Sequence, residues 1–481
     1  MKEKQNYTGA LIVLTSLFFM WGFITCMNDI LIPFLRKMFD LNRFQSMMVQ
    51  FAFFAAYFVG SVIYFVISAR RGDPISKIGY KNGLIAGLII SALASLMFYP
   101  AAQFHLFGLF LAALFVLALG FTLLQIAANP YVALLGSPET ASSRLNLSQA
   151  FNSLGTTLAP ILGGYLVFHY FARMGTPLYG AGGNPVLTDG GEPLSILGVQ
   201  LPYLIFALIF LLLALLIKFT PLPRFTGDAT IQKGAGALKY RHLVLGMIAI
   251  FMYVGAEVSI GSSFINYAHE LNGFTEMQAK NFLAFYWGGA MIGRFLGAIS
   301  LSQMRQVKKY GLMLLTSLLT FLLIYGIIYL ESGESFPFQK VLPFLLFLLL
   351  NYVGFIFGKS LPGRTLAIFA FIVIGLLVTT LLTHGMVALW TIVGIGLFNS
   401  IMWSNIFTLA IKDLRSYTAQ GSSLLVMMIL GGALLPLLQG AVADFLNGYH
   451  YSYFVPILSY LYIFYYGWKG HIIQDKNLTR K

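Results

Sequence analysis

Long apolar runs, separated by short polar stretches, fill the chain from about residue 9 to residue 468. A helix needs about 20 apolar residues to cross the hydrocarbon of a bilayer. Runs of that kind lie near 9–35, 46–69, 80–99, 105–128, 146–168 and 201–220. A second set lies near 242–266, 278–302, 309–330, 341–358, 366–383, 386–411, 421–443 and 451–468. The pattern predicts six helices and then eight, divided by the polar stretch "PLPRFTGDATIQKGAGALKYRH" (Pro221 to His242). Strands of a transmembrane barrel would read as short alternating segments instead. The expected architecture is an all-α polytopic membrane protein: a helical bundle over 1–220, a cytoplasmic linker over 221–241, a second bundle over 242–468 and a tail over 469–481.

Composition narrows this further. Apolar residues make up 58% of the 481 and charged residues only 10%, against roughly 25% charged in soluble domains. Mean hydropathy is +0.80. The N-terminal "MKEKQNYTGALIVLTSLFFMWGFITC" has the charged start and apolar core of a signal peptide. Its apolar run continues through Pro33 with no A-x-A-like cleavage site, so it reads as the first span. A single cysteine, Cys26, excludes an intramolecular disulfide and a cysteine-clustered metal site. The net charge of +14 invites a nucleic-acid partner, but in a membrane protein such an excess marks cytoplasmic loops.

The basic residues support that second view. With alternating spans, 23 Lys and Arg fall on the side of the N-terminus and 6 on the other, with Arg294 inside a span. The bias predicts an even number of spans with both termini in the cytoplasm. Twelve and fourteen satisfy it equally, and the count of runs favours fourteen. The many Phe and Tyr are expected to face lipid or to form interfacial belts.

Acidic residues are scarce in the spans. Asp29 and Glu257 lie deep in apolar runs, each in the first helix of its half, and Asp444 sits at the end of one. Insertion scales charge about 2.5–3.5 kcal/mol for Asp at a helix centre, so such a group needs a functional reason. Amides recur at helical spacing. Gln125 and Asn129 are four apart, and Asn146, Gln149 and Asn152 recur every three residues, with Ser153 four beyond Gln149. Asn399 and Trp403 are again four apart. Amides supply paired donors and acceptors and Trp a flat apolar face, which together suit a sugar. The plainer alternative for each amide is glue between helices. Arg294, in "GGAMIGRFLGAIS", is expected to be a structural gate residue, and His105 and His384 are given no role.

The segments "NDILIPF", "LLQIAANPYVALLG", "ETASSRLNLSQAFNSLGTTLAP", "YVGAEVSIGSSFINY", "GRFLG" and "GLFNSIMWSNIFTLAI" resemble the glucose/galactose transporter group of the major facilitator superfamily, related to the L-fucose:proton symporter. The resemblance spans both halves. It implies two six-helix bundles around a central sugar cavity, working by alternating access. Asp29 matches a first-helix carboxylate implicated in proton coupling and sugar contact; Gln149 and Asn152 match fifth-helix polar residues; Trp403 falls at an aromatic sugar-contact position. The implied substrate-binding set is Asp29, Gln125, Asn129, Gln149, Asn152, Glu257, Asn399 and Trp403. The implied ion-coupling set is Asp29, Asn28 and Gln125.

The chain departs from the fucose symporter in three places. It has Gln125 where that protein has a second essential Glu, and Glu257 where that protein has Gln. An amide does not titrate. Members of the group with this Gln include sodium-coupled transporters, so sodium held by Asp29 is the expected co-substrate, with no cofactor. Segment 306–362 is the third departure, expected as an inserted transmembrane hairpin that brings the spans to fourteen.

The leading expectation is a sodium-coupled hexose symporter in a bacterial inner membrane. Its alternatives are a proton-coupled hexose or fucose symporter and a passive facilitator in which Asp29 only binds sugar. A membrane enzyme would need a paired acid and base, a metal-ligand cluster or a nucleophile motif, and a sensor a soluble output domain. The sequence displays none of these features.

Overall fold

The computed structural model describes residues 7–39, 43–163, 165–171, 195–223, 225, 233–333 and 336–473, with isolated positions between 174 and 193. The side chains of residues 28–38, Asn28 and Asp29 among them, lie outside the described set. The described chain is almost wholly helical, as the apolar runs require. In hydrocarbon no water is present to satisfy backbone N–H and C=O groups, and a helix satisfies them internally. Three isolated antiparallel bridges, the first between Pro177 and Ser195, are the exception.

By Cα packing the chain divides into two compact units. One comprises Met1–Tyr131 and Phe151–Gly234, the other Val132–Ala150 and Ala235–Lys481. The helices up to the divide are α1 (Thr8–Met38), α2 (Arg43–Arg71), α3 (Pro74–Ile78), α4 (Tyr80–Gln103), α5 (Phe107–Leu134), α6 (Ala141–Leu158) and α7 (Leu197–Phe219). After it come α8 (Arg241–Asn272), α9 (Glu276–Ser300), α10 (Gln306–Ser332), α11 (Leu342–Gly358), α12 (Pro362–Leu382) and α13 (Gly385–Asn399). The last are α14 (Met402–Ala410), α15 (Thr418–Met427), α16 (Gly431–Phe445), α17 (Tyr449–Ser452) and α18 (Phe454–Tyr465).

Each expected apolar run is helical. Among the described residues, however, twelve helical stretches are long and apolar enough to cross a membrane, not the expected fourteen. α10 and α11, the expected hairpin, are both among the twelve. The two runs outside that count have physical reasons to be. α6, "ASSRLNLSQAFNSLGTTL", carries too many polar side chains, and it passes into π-turns at Ala159–Gly163, where Pro160 supplies no N–H to the ladder. α18 is only 12 residues before its own π-turn at Tyr466–Gly470. Two runs expected as single helices are also interrupted, at Ser400–Ile401 and at a 3-10 turn over Met428–Leu430.

Small residues let the helices approach closely. In the first unit, a Cβ at Gly22 or Gly155 would strike the backbone of the facing helix, at Asn152 and Phe19 respectively, so α1 and α6 cross backbone to backbone. Gly87 and Gly120 do the same for α4 and α5. In the second unit Gly396 faces the Tyr286 carbonyl and Gly431 the Phe251 carbonyl, locking α13 on α9 and α16 on α8. α9 opens with a reciprocal cap in which Thr275 and Gln278 bond each other's backbone N–H.

Candidate functional site

The expected polar residues fall in both units, and each unit treats its own differently. In the first unit, Gln125 and Asn129 stand one turn apart on α5, both buried. Neither amide atom of Asn129 has a hydrogen-bond partner, nor does Gln125 Oε1. The Tyr57 hydroxyl has Gln125 and Trp21 as hydrogen-bonding neighbours. Immediately after Asn129, Pro130 sits inside α5 and withholds an N–H from the carbonyl four residues back. Asn152 is half-buried on α6 and donates to the Phe18 carbonyl of α1 at 2.9 Å. That contact lies on the same helix as Asn28 and Asp29, whose side chains are outside the described residues.

In the second unit the polar groups close on one another. The Tyr460 hydroxyl donates to Asn399 Oδ1 at 2.7 Å, and Asn399 Nδ2 donates to the Tyr286 hydroxyl at 3.0 Å. Tyr286 in turn donates to the Glu257 carbonyl at 3.1 Å. The structure thus brings Asn399 and Glu257 into one cluster but commits both ends of the Asn399 amide to protein. Arg294 Nη2 stands 3.8 Å from Glu257 Oε1, an ion pair too long for a hydrogen bond. Its Nε reaches the Ser400 carbonyl at 3.3 Å. Both side chains are largely enclosed, 14% exposed for Arg294 and 12% for Glu257, and Glu257 Oε1 itself is buried. Arg294, expected as a structural gate residue, is thus placed beside Glu257. Trp403 is buried, stacks on Phe407 at 6.1 Å, and its Nε1 has no partner.

The first half of α6 packs with this second unit. Asn146 Nδ2 donates to Asn405 Oδ1 at 3.1 Å, and Ser142 and Thr408 share a 2.6 Å hydrogen bond. Arg144 spreads its guanidinium over the carbonyls of Val132, Ala133 and Ser137. Here amide glue between helices describes Asn146 well. Gln149, one turn on, is buried. Among the described residues no cluster of His, Cys, Asp or Glu could hold a metal ion.

The sequence reading missed Tyr286 and Tyr460, which it assigned to lipid or belts; both are fully buried. Their signal was position. Each lies inside a span rather than at its end.

Comparison with known proteins supplies the family. The Major Facilitator Superfamily profile matches residues 10–363. The chain belongs to that superfamily. Superfamily members are transporters and not enzymes, which agrees with the reading of the sequence as a multi-pass membrane transporter. The chain is 41% identical over 473 residues to a glucose/galactose transporter of Brucella abortus biovar 1 (strain 9-941), covering 97% of this chain and 95% of that protein. It is 29% identical over 471 residues to the L-fucose-proton symporter of Escherichia coli (strain K12), covering 96% and 93%. Among solved structures, a Major Facilitator Superfamily transporter, FucP, in the outward conformation superposes with a TM-score of 0.72. That match has 29% identity and covers 96% of this chain and 98% of that one. The relative whose name states a coupling ion names the proton, so the expected sodium coupling finds no support here.

Proposed function

We propose that the protein imports a glucose/galactose-type hexose by proton symport, through alternating access. The substrate reading is carried by the 41% identity, across nearly the whole chain, to the Brucella abortus glucose/galactose transporter. The proton is supported by the 29% identity to an L-fucose-proton symporter. Gln125 cannot carry a proton, so the carboxylates available within the spans are Asp29 and Glu257. Asp29, with Asn28 beside it, is the coupling group of the first helix. Glu257, 3.8 Å from Arg294, is the second.

The chemistry of the cycle follows from charge. Ionised Glu257 is stabilised by Arg294; a proton on Glu257 removes that attraction and leaves Arg294 its Ser400 carbonyl. A carboxylate deep in the membrane is stable where a cation or proton offsets it for part of the cycle. Unpartnered amide atoms on Gln125 and Asn129 offer the sugar hydroxyls donors and acceptors, with Asn152 as a further amide of the first unit. In the second unit Gln149 is the candidate amide and Trp403 the apolar face, while Asn399, held at both ends by tyrosines, positions its helix. Proton and sugar then bind cooperatively, each raising the other's affinity by the same factor.

The segments 141–163 and 454–470 are read as membrane-crossing too, giving fourteen spans with 306–362 as an inserted hairpin and both termini in the cytoplasm of a bacterial cell. In support, α10 and α11 are each long and apolar enough to cross. The 23-to-6 distribution of basic residues supports the orientation. Tags at Gly333 and Gly363 are expected on opposite faces, outside and inside; both on one face defeats this topology.

The functional test is uptake of radiolabelled glucose into proteoliposomes with pH and sodium gradients imposed separately. Accumulation is expected with the inward proton gradient alone. A second reading, sodium held by Asp29, has one observation in its favour, the non-titrating Gln125; accumulation under sodium alone would select it. Uptake that ignores both gradients would identify a facilitator.

A further inference from the structure

At one end of the α10–α11 pair, the loops that join it to α9 and α12 gather positive charge, with no acidic partner for it among the described residues. Arg305 is the residue before α10, Lys308 and Lys309 lie in its first turn, Lys359 follows α11, and Arg364 lies in the first turn of α12. Arg305, Lys308, Lys359 and Arg364 are exposed, whereas Lys309 is only 3% exposed. The buried ammonium of Lys309 donates to the Ser302 carbonyl at 2.7 Å and to Ser360 Oγ at 2.8 Å, which ties the two loops together. Both partners are neutral. A buried ammonium costs several kcal/mol in desolvation unless an anion is near.

The backbone adds to the imbalance. Neither α10 nor α12 has an acidic residue in its first turn or a side-chain cap on its first N–H groups. Helix N-termini carry partial positive charge, so three cations at the start of α10 are the wrong sign for their place. Lys359 and Ser360 are consecutive non-glycine residues with left-handed φ of 50° and 58°, a conformation that holds the Ser360 hydroxyl against Lys309. Just along the helices, Leu314, Leu318 and Leu322 of α10 and Leu346 and Leu349 of α11 present exposed apolar side chains. Cations, uncapped N–H groups and a greasy flank lie in sequence from loop to helix.

We propose that this end of the α10–α11 pair binds the phosphate of an anionic phospholipid of the phosphatidylglycerol type. The exposed cations reach the phosphate, the uncapped N–H groups of α10 and α12 orient toward it, and the acyl chains lie along the leucines. The site goes beyond the transport reading and does not depend on which sugar or ion is carried.

Thermal unfolding of the detergent-purified protein tests it. Phosphatidylglycerol should raise the melting temperature by about 5 °C over phosphatidylcholine at equal concentration. Inorganic phosphate alone should not reproduce the rise. The Lys308→Gln/Lys359→Gln variant, both exposed positions, should lose at least half of it, and a quadruple variant adding Arg305→Gln and Arg364→Gln nearly all. An Arg70→Gln/Arg71→Gln control, which removes two exposed cations in the last turn of α2, should keep it. Equal shifts with the two lipids, a full shift in the quadruple variant, or a full shift with inorganic phosphate would each overturn the proposal. If the quadruple variant does not fold, the double variant decides.

Discussion

Two buried amides, one in each unit, are held in opposite ways. On α5, Asn129 has no partner for either amide atom. On α13, Asn399 is held at both ends by Tyr460 and Tyr286. Both are completely enclosed. An unsatisfied buried polar group costs about 1–3 kcal/mol, so the first arrangement is a standing cost and the second a source of rigidity. The contrast assigns different work to residues of one chemical type. On the proposed reading Asn129 keeps its hydrogen-bonding capacity for the sugar, whereas Asn399 has committed its own to holding α13 to α9 and α18.

The largest expected effect concerns the Glu257–Arg294 pair beside the closed network. Glu257→Gln should abolish uphill accumulation under a proton gradient while leaving sugar-for-sugar exchange partly intact, measured as counterflow. Wild-type accumulation by that variant would make the Glu257–Arg294 pair a packing device only. Asp29→Asn should behave in the same way if both carboxylates couple.

Next in size is the network itself. Asn399→Ala strands the Tyr460 hydroxyl and takes one of two bonds from the Tyr286 hydroxyl, and it should destabilise the protein by about 1–3 kcal/mol, read as a lower melting temperature. An unchanged melting temperature would mean the network contributes no rigidity, and the contrast with α5 would collapse. Asn129→Leu should do the reverse. It removes two unpartnered polar atoms while keeping the branched shape, so stability should hold or rise. Hexose affinity should fall about 5- to 150-fold, corresponding to roughly 1–3 kcal/mol. Loss of stability without loss of affinity would return Asn129 to structure.

The smallest effect lies at the other end of the second unit. His450 stacks on His384 at 4.6 Å, meets the Tyr267 hydroxyl and the Leu381 carbonyl, and lies near Glu270, which accepts from the Tyr449 N–H. Burial holds its imidazolium form below the ordinary histidine range, while the Leu381 bond partly opposes this. The unfolded chain then takes up a proton more readily than the folded one, so stability present above about pH 6.5 is lost as pH falls toward the folded value. His450→Phe keeps a ring against His384 and should flatten the melting temperature between about pH 5 and 7. A slope identical to wild type would exclude His450 as its source.

Much of the fold was legible because hydrocarbon tolerates only helices and closed barrels, and runs of about 20 apolar residues leave helices. That logic finds each run but not its interruptions. The break at Ser400–Ile401 answers to packing against α9, where Gly293 faces Ser400, and no local residue announces it. Spacing on a single helix likewise identified Gln125 with Asn129 as one face. It gave no purchase on Glu257 with Arg294, which are 37 residues apart on α8 and α9. Their meeting depends on how two helices are rotated against each other. Tyr286 and Tyr460 were misassigned for a related reason: a tyrosine suits both a membrane interface and a buried hydrogen bond.

Pro130 gives α5 a mechanical character that its amides alone do not. A helix resists bending through its ladder of hydrogen bonds, and α5 lacks one rung at the level of Gln125 and Asn129. Its stiffness is therefore lowest where its unpartnered polar atoms sit. The rod above and below can pivot there without breaking a further bond, so the point that would feel a ligand is also the point that yields.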